Sequence, residues 1–237
     1  MIWALHGAVG MAADWKELSR SLAQDGLTVR SVDLWRYLDC CPMPLWDFAK
    51  AFNEEVRAVD SAPVLLGYSL GGRLALHALL DDQQLWQRAV IVSAHTGLTD
   101  GDEKLQRLGR DAEWAAKALT SDWKQFLAEW NSQSVLAGEP LPGRSQLEVR
   151  RQAVARSFMD WSLGQQDDLL PKMSQITCPI DWVVGGRDEK FSNLGEMVTR
   201  EVPSVDLYEI GAAGHRVPWD CPAEFATFVR GRLGGSE

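Results

Sequence analysis

Gly67-Tyr68-Ser69-Leu70-Gly71 follows the apolar run Val64-Leu65-Leu66 and leads into a helix-forming segment. A serine set between glycines at a strand-to-helix turn has its hydroxyl exposed, available to attack a carbonyl or to take a proton. The turn is too tight for bulky neighbours, and the helix N-terminus behind it favours negative charge nearby. A serine hydroxyl needs a base, and the base needs an orienting acid. The chain has four histidines. His215 ends Gly211-Ala212-Ala213-Gly214-His215, a glycine-rich loop that can swing over strand ends. His77 lies inside the helix that follows Ser69 and should point away, whereas His6 and His95 each follow a strand and could line a pocket. The acid should follow a strand and fall between serine and histidine in sequence. Asp188 does so at the end of Val183-Val184-Gly185-Gly186-Arg187-Asp188, while Asp181 precedes the strand's apolar centre and is less suited. Donors for a developing oxyanion are expected from the backbone N–H groups of Ala8 and Leu70. Arg73, one turn into the helix after Ser69, could face the pocket and hold an anionic group; the alternative is an ion pair with a nearby acid.

These residues need a frame, and the chain supplies strand and helix patterns in alternation, the mark of an α/β fold with a parallel sheet. Ile2–Leu5 reads as a buried strand, 13–24 as an amphipathic helix, Thr28–Val32 as a strand and 46–59 as a helix. Ala62–Leu66 is a strand, Ser69–Leu80 a helix and Ala89–Val92 a strand. From about 97 to 170 the pattern is helical and amphipathic, broken by the loop Glu139-Pro140-Leu141-Pro142-Gly143. Strands resume at Ile180–Val184 and Val205–Ile210, and a last helix runs from about Ala223 to Leu233. The expected organisation is one domain, 1–237, with a helical cap insertion at about 97–170. Ser69, Asp188 and His215 then all fall at the carboxyl ends of strands, where doubly wound sheets bind ligands.

The formal net charge of −9 argues against nucleic acid and anionic membrane surfaces as partners. An anionic small-molecule substrate would need local arginines working against that overall field. The four cysteines, Cys40, Cys41, Cys178 and Cys221, show no zinc or CxxC spacing, so free thiols in a reducing cytoplasm are expected. No metal and no cofactor is implied. Met1-Ile2-Trp3-Ala4-Leu5 lacks the basic region of a signal peptide, and no apolar run approaches the roughly 20 residues of a membrane span. Most of the 11 tryptophans, such as Trp3, Trp15 and Trp86, are expected to be packing residues, with Trp114 and Trp123 on the apolar faces of the insertion.

The order serine, aspartate, histidine at strand ends is similar to that of the α/β-hydrolase superfamily, which implies that superfamily's fold. A closer resemblance runs from His6-Gly7 and Trp15 through Gly67-Tyr68-Ser69-Leu70-Gly71-Gly72-Arg73 and Gly97-Leu98. It continues with Arg107, Asp111, Trp114, Leu119-Thr120, Trp130, Ser162-Leu163, Gln166 and Asp168-Leu169. It ends in Gly186-Arg187-Asp188, Lys190-Phe191 and Ala213-Gly214-His215. These residues resemble the MenH family, 2-succinyl-6-hydroxy-2,4-cyclohexadiene-1-carboxylate synthase. The resemblance implies a lyase in which Ser69, activated by His215, takes a proton from a cyclohexene substrate and pyruvate is expelled. It implies a substrate with three carboxylates, contacts from Arg73, Arg107, Tyr68 and Trp130, and a third arginine at Arg150 or Arg151. The sequence departs from the family where Trp35-Arg36-Tyr37-Leu38 stands for Pro-Gly-His-Gly and where Ala8 replaces an aromatic residue. The chain also opens at what is normally the third strand of the fold. The alternative activity on the same residues is a carboxylester, thioester or carbon–carbon bond hydrolase. A non-enzymatic binding module is disfavoured, because no member of the serine, histidine and aspartate set is missing.

Overall fold

The computed structural model describes residues 1–138 and 140–234. Six parallel strands form one sheet in the order β2-β1-β3-β4-β5-β6. They are β1 (Ile2–Leu5), β2 (Val29–Val32), β3 (Val64–Tyr68), β4 (Arg88–Val92), β5 (Ile180–Gly185) and β6 (Val205–Ile210). Every residue of β1 and β5 is buried. Burial along the whole strand is what a parallel sheet covered by helices on both faces gives, and apart from the ion-paired Asp181 in β5 the runs are apolar or glycine. The period of two separates the layers: Trp3 and Leu5 pack with one core cluster, Ile2 and Ala4 with the other.

On one face lie α2 (Leu45–Arg57), whose Phe48, Phe52 and Val56 are fully buried, and α3 (Leu70–Asp81). Helix α8 (Glu189–Glu201) joins that layer through Phe191 and Val198. On the other face α1 (Lys16–Ala23) and α10 (Pro222–Leu233) pack together through Leu18, Leu22, Phe225 and Phe228. The short α9 (Val217–Asp220) precedes α10. The predicted helix over 13–24 is a 3-10 turn, Ala12–Trp15, running into α1. The predicted strand over Ala62–Leu66 begins later, after Pro63, and runs to Tyr68. Proline has no N–H for a sheet ladder, and the shift carries β3 straight to Ser69.

Between β4 and β5 the described chain has no strand. It holds α4 (Gly101–Thr120), α5 (Trp123–Asn131), α6 (Arg151–Asp160) and the single turn α7 (Leu170–Met173). Asp100 and Asp122 cap α4 and α5 by accepting from Glu103 N–H at 2.8 Å and Gln125 N–H at 3.0 Å. Pro140–Gly143 is loop as predicted, and Glu139 lies outside the described residues. Polar contacts fasten this segment to the loops after β1 and β2. Arg144 donates through both Nη atoms to Asp14, at 2.8 and 2.9 Å, with both side chains largely buried. Arg156 donates to Leu38 O, Trp161 Nε1 to Met43 O and Met43 N–H to Asp160. Among the described residues no helix is long and apolar enough to cross a membrane.

Candidate active site

The sheet's switch point lies between β2-β1 on one side and β3 on the other, and the residues that follow β1 and β3 meet there. Ser69 is the hinge between β3 and α3, with φ +52° and ψ −111°. A side chain rarely adopts a positive φ, and the strain of about 1–3 kcal/mol is typical of functional turns. Gly71 lets α3 start hard against β1: a Cβ there would sit 2.3 Å from Leu5 O and 2.6 Å from His6 O. That approach places Leu70 beside the loop that holds Ala8. Among the described residues neither the Ala8 nor the Leu70 N–H donates to a protein acceptor, and both residues line the central cavity.

His215 Nδ1 lies 2.7 Å from Asp188 Oδ2, and its Nε2 lies 3.1 Å from Ser69 Oγ. The structure therefore joins the three residues, separated widely in sequence, into one hydrogen-bonded chain. Asp188 is the N-cap of α8, its other oxygen accepting from Phe191 N–H at 3.4 Å. Gly185 permits the close passage of the histidine loop, since a Cβ there would meet Gly214 O at 2.1 Å. The imidazole is flanked by Phe191 and Tyr68, with ring centroids 4.5 and 5.5 Å away. Aspartate contact and aromatic walls hold it in one orientation.

Ser69 and His215 open into a cavity of about 400 Å³ that Arg73, Arg107, Arg110, Lys190, His95 and Trp130 also line. Arg73 is buried and donates to Gln166 Oε1 at 3.0 Å and Trp161 O at 2.7 Å. Both acceptors are uncharged, and no carboxylate among the described residues pairs with it. Burial first, and the nearby Arg107 second, push its guanidinium down to about 9, against a smaller opposing effect of Asp111. Arg107 does pair, its Nε donating to both oxygens of Asp111 at 2.9 and 2.8 Å. Asp111 also accepts from Ser162 Oγ at 2.6 Å. Burial, then Arg107, lowers the Lys190 ammonium from its ordinary value. Tyr68 is buried against His215 and Trp219.

The residues expected from sequence divide clearly. Ser69, His215, Leu70, Ala8, Tyr68, Arg73, Arg107 and Trp130 all line this cavity. Asp188 stands behind His215. Neither Arg150 nor Arg151 lines it. Arg150 turns outward to Asp39, at 2.8 and 2.6 Å, and to Asp33 at 3.1 Å. Arg151 lies 3.5 Å from Glu148 and donates to Leu119 O. The 3-10 stretch ending at Arg150 and the first residue of α6, Arg151, place the two side chains toward these partners. Arg110 and Lys190 are the cations that sequence reasoning did not assign here. Helical spacing with Arg107 was a signal for Arg110, and the Asp188-x-Lys190 pairing was one for Lys190. Ser93 was also missed: it lines the cavity at φ +47°, and its buried Oγ has no partner among the described residues.

Two of the remaining histidines, His6 and His77, stand outside this cavity. His6 is buried, faces Gly7 O through Nδ1 at 2.9 Å and accepts from Leu34 N–H at 3.3 Å. His77 points away from Ser69, its Nδ1 donating to Arg73 O at 2.7 Å. Asp181 is a buried member of β5 paired with Arg88 and Arg232.

The chain belongs to the alpha/beta hydrolase family, whose sequence profile matches residues 4–228. It is an enzyme of that superfamily. It is 28% identical, over 97% of its length and 85% of the relative's, to 2-succinyl-6-hydroxy-2,4-cyclohexadiene-1-carboxylate synthase of Yersinia pestis. MenH from S. aureus superposes with a TM-score of 0.87 at 20% identity, covering 98% of this chain and 92% of that one. A thermophilic esterase from Thermogutta terrifontis, solved with malate bound, superposes at 0.79 and 18% identity, covering 98% and 89%. At those identities the structural likenesses concern the fold.

Proposed function

We propose that this protein is a MenH-like lyase that eliminates pyruvate from an enolpyruvyl cyclohexene carboxylate. In this reading 1–237 form one domain whose helices at about 97–170 cap the site. Ser69 Oγ passes its proton to His215 Nε2 and takes a proton from a ring carbon of the substrate. The electron pair left behind forms the new double bond, the carbon–oxygen bond to the enolpyruvyl group breaks, and the departing enolate is protonated to pyruvate. Asp188 keeps the imidazole oriented and stabilises the imidazolium. The Ala8 and Leu70 N–H groups, which have no protein acceptor among the described residues, receive the developing oxyanion. Arg73 and Arg107 hold substrate carboxylates, with Tyr68 and Trp130 as walls.

One observation carries this reading: the Ser69–His215–Asp188 chain opens into a cavity with several cations, one of them a buried arginine that no carboxylate among the described residues pairs with. A hydrolase of neutral esters has no use for such a site. The second reading, a hydrolase of small anionic esters or thioesters, rests on the same serine and oxyanion donors. The experiment is pyruvate release from the enolpyruvyl cyclohexene substrate by wild type and Ser69→Ala, beside a panel of small esters and thioesters. Fast release that falls by about 10³-fold or more in Ser69→Ala supports the lyase. Ester turnover without pyruvate release would assign the same residues to hydrolysis.

A further inference from the structure

His95 lines the same cavity as Ser69 and His215, yet the chemistry above gives it no part. Its ring is fixed in a defined state. The Gly97 N–H donates to Nδ1 at 3.0 Å, so Nδ1 is the acceptor of the ring and the imidazole proton is on Nε2. Gly97 is held in place, at φ +128°, because a Cβ would lie 2.1 Å from Asp167 O. The His95 carbonyl accepts from Gln166 Nε2 at 3.1 Å, and the same Gln166 accepts from Arg73 through Oε1 at 3.0 Å. One glutamine thus sets the spacing between His95 and the buried guanidinium. Burial lowers His95 to about 4, and Lys190, Arg73 and Arg107 oppose a further positive charge beside them. Among the described residues Nε2–H has no protein partner.

An uncharged donor among cations does different work from the arginines. The arginines suit carboxylates; a neutral N–H can serve an oxygen that carries no charge. We propose that His95 is a specificity-determining residue whose Nε2–H donates to a carbonyl, hydroxyl or ether oxygen on the carbon next to the substrate carboxylate held by Arg73. The inference rests on the anion-binding reading of the cavity and adds to it the class of ligand preferred: 2-oxo, 2-hydroxy and 2-alkoxy acids over plain carboxylic acids.

The test uses two pairs of probes that differ by that oxygen, 2-oxoglutarate against glutarate and pyruvate against propionate. Their binding is measured by calorimetry to the wild type, His95→Leu and His95→Gln. In the wild type the oxygenated member of each pair should bind about tenfold tighter, the scale of one good hydrogen bond. His95→Leu should bring each pair to parity while glutarate binding is retained. His95→Gln, which can present an amide N–H, should restore part of the preference. A preference that survives unchanged in His95→Leu, or its absence from the wild type, overturns the inference and leaves the cationic cavity standing. Failure of all four acids to bind the wild type overturns the anion-binding reading itself, and this inference with it.

Discussion

At the scale of single residues, the feature that sets this site apart is the company of Arg73. Its two acceptors are an amide oxygen and a main-chain carbonyl, which orient the guanidinium and leave its charge for a ligand. Hydrogen bonds to charged groups are worth about 1.5–3 kcal/mol. Arg73→Ala should therefore raise KM for the proposed lyase substrate by roughly 10–100-fold, with a smaller change in kcat. Arg73→Lys should fall between, because lysine keeps the charge and loses the planar fork. Steady-state kinetics with the two variants checks this. An unchanged KM in Arg73→Ala would remove the arginine from substrate binding.

At the scale of elements, the junction of β1, β3 and α3 decides whether donors, nucleophile and base coincide. Gly71→Ala forces a methyl group into the Leu5 and His6 carbonyls. Overpacking of this kind typically costs about 1–3 kcal/mol, and α3 must retreat from β1 to relieve it. The variant should melt several degrees lower and lose more in kcat than in KM, since Leu70 moves with the helix. Thermal melting and turnover, measured together, distinguish this from a purely structural loss. Much of the Ser69, Asp188 and His215 arrangement was legible in the sequence, because each of its parts is local. Ser69 sits in its own glycine turn, Asp188 closes a strand, and His215 ends a glycine-rich loop. The cavity's other wall was not legible in the same way. Whether an arginine on a helical segment faces the cavity or an acid depends on how α4 and α6 pack, which local periodicity does not set. Arg107 lines the cavity while its Nε pairs with Asp111, whereas Arg150 is carried outside it to Asp33 and Asp39. The Arg144–Asp14 contact joins distant parts of the chain and leaves no pattern in either neighbourhood.

At the scale of the whole molecule, the buried imidazoles should make the fold less stable at acid pH. Burial is the leading cause that lowers His6, His77 and His95 from 6.5 to about 4. The unfolded chain takes up these protons before the folded one does, so stability is fully present above pH 6.5 and is lost as pH falls toward 4. At about 1.4 kcal/mol per pKa unit, each ring contributes a few kcal/mol to that loss. The urea midpoint should drop clearly between pH 7.5 and pH 5, and His77→Phe, remote from Ser69, should flatten the drop. A midpoint flat across that range would contradict the burial of these rings. The lone guanidinium of Arg73 has a complementary consequence for the thermodynamics of the resting enzyme. No carboxylate among the described residues pairs with it, so under the proposed function its counter-ion arrives with the ligand and part of the native state's free energy is supplied from solution. Occupancy and melting temperature should then rise together, following the logarithm of free ligand over its dissociation constant. Inorganic phosphate or sulfate in a buffer should act as a weak surrogate, raising the melting temperature of the wild type but not of Arg73→Ala, and competing with substrate in the same concentration range.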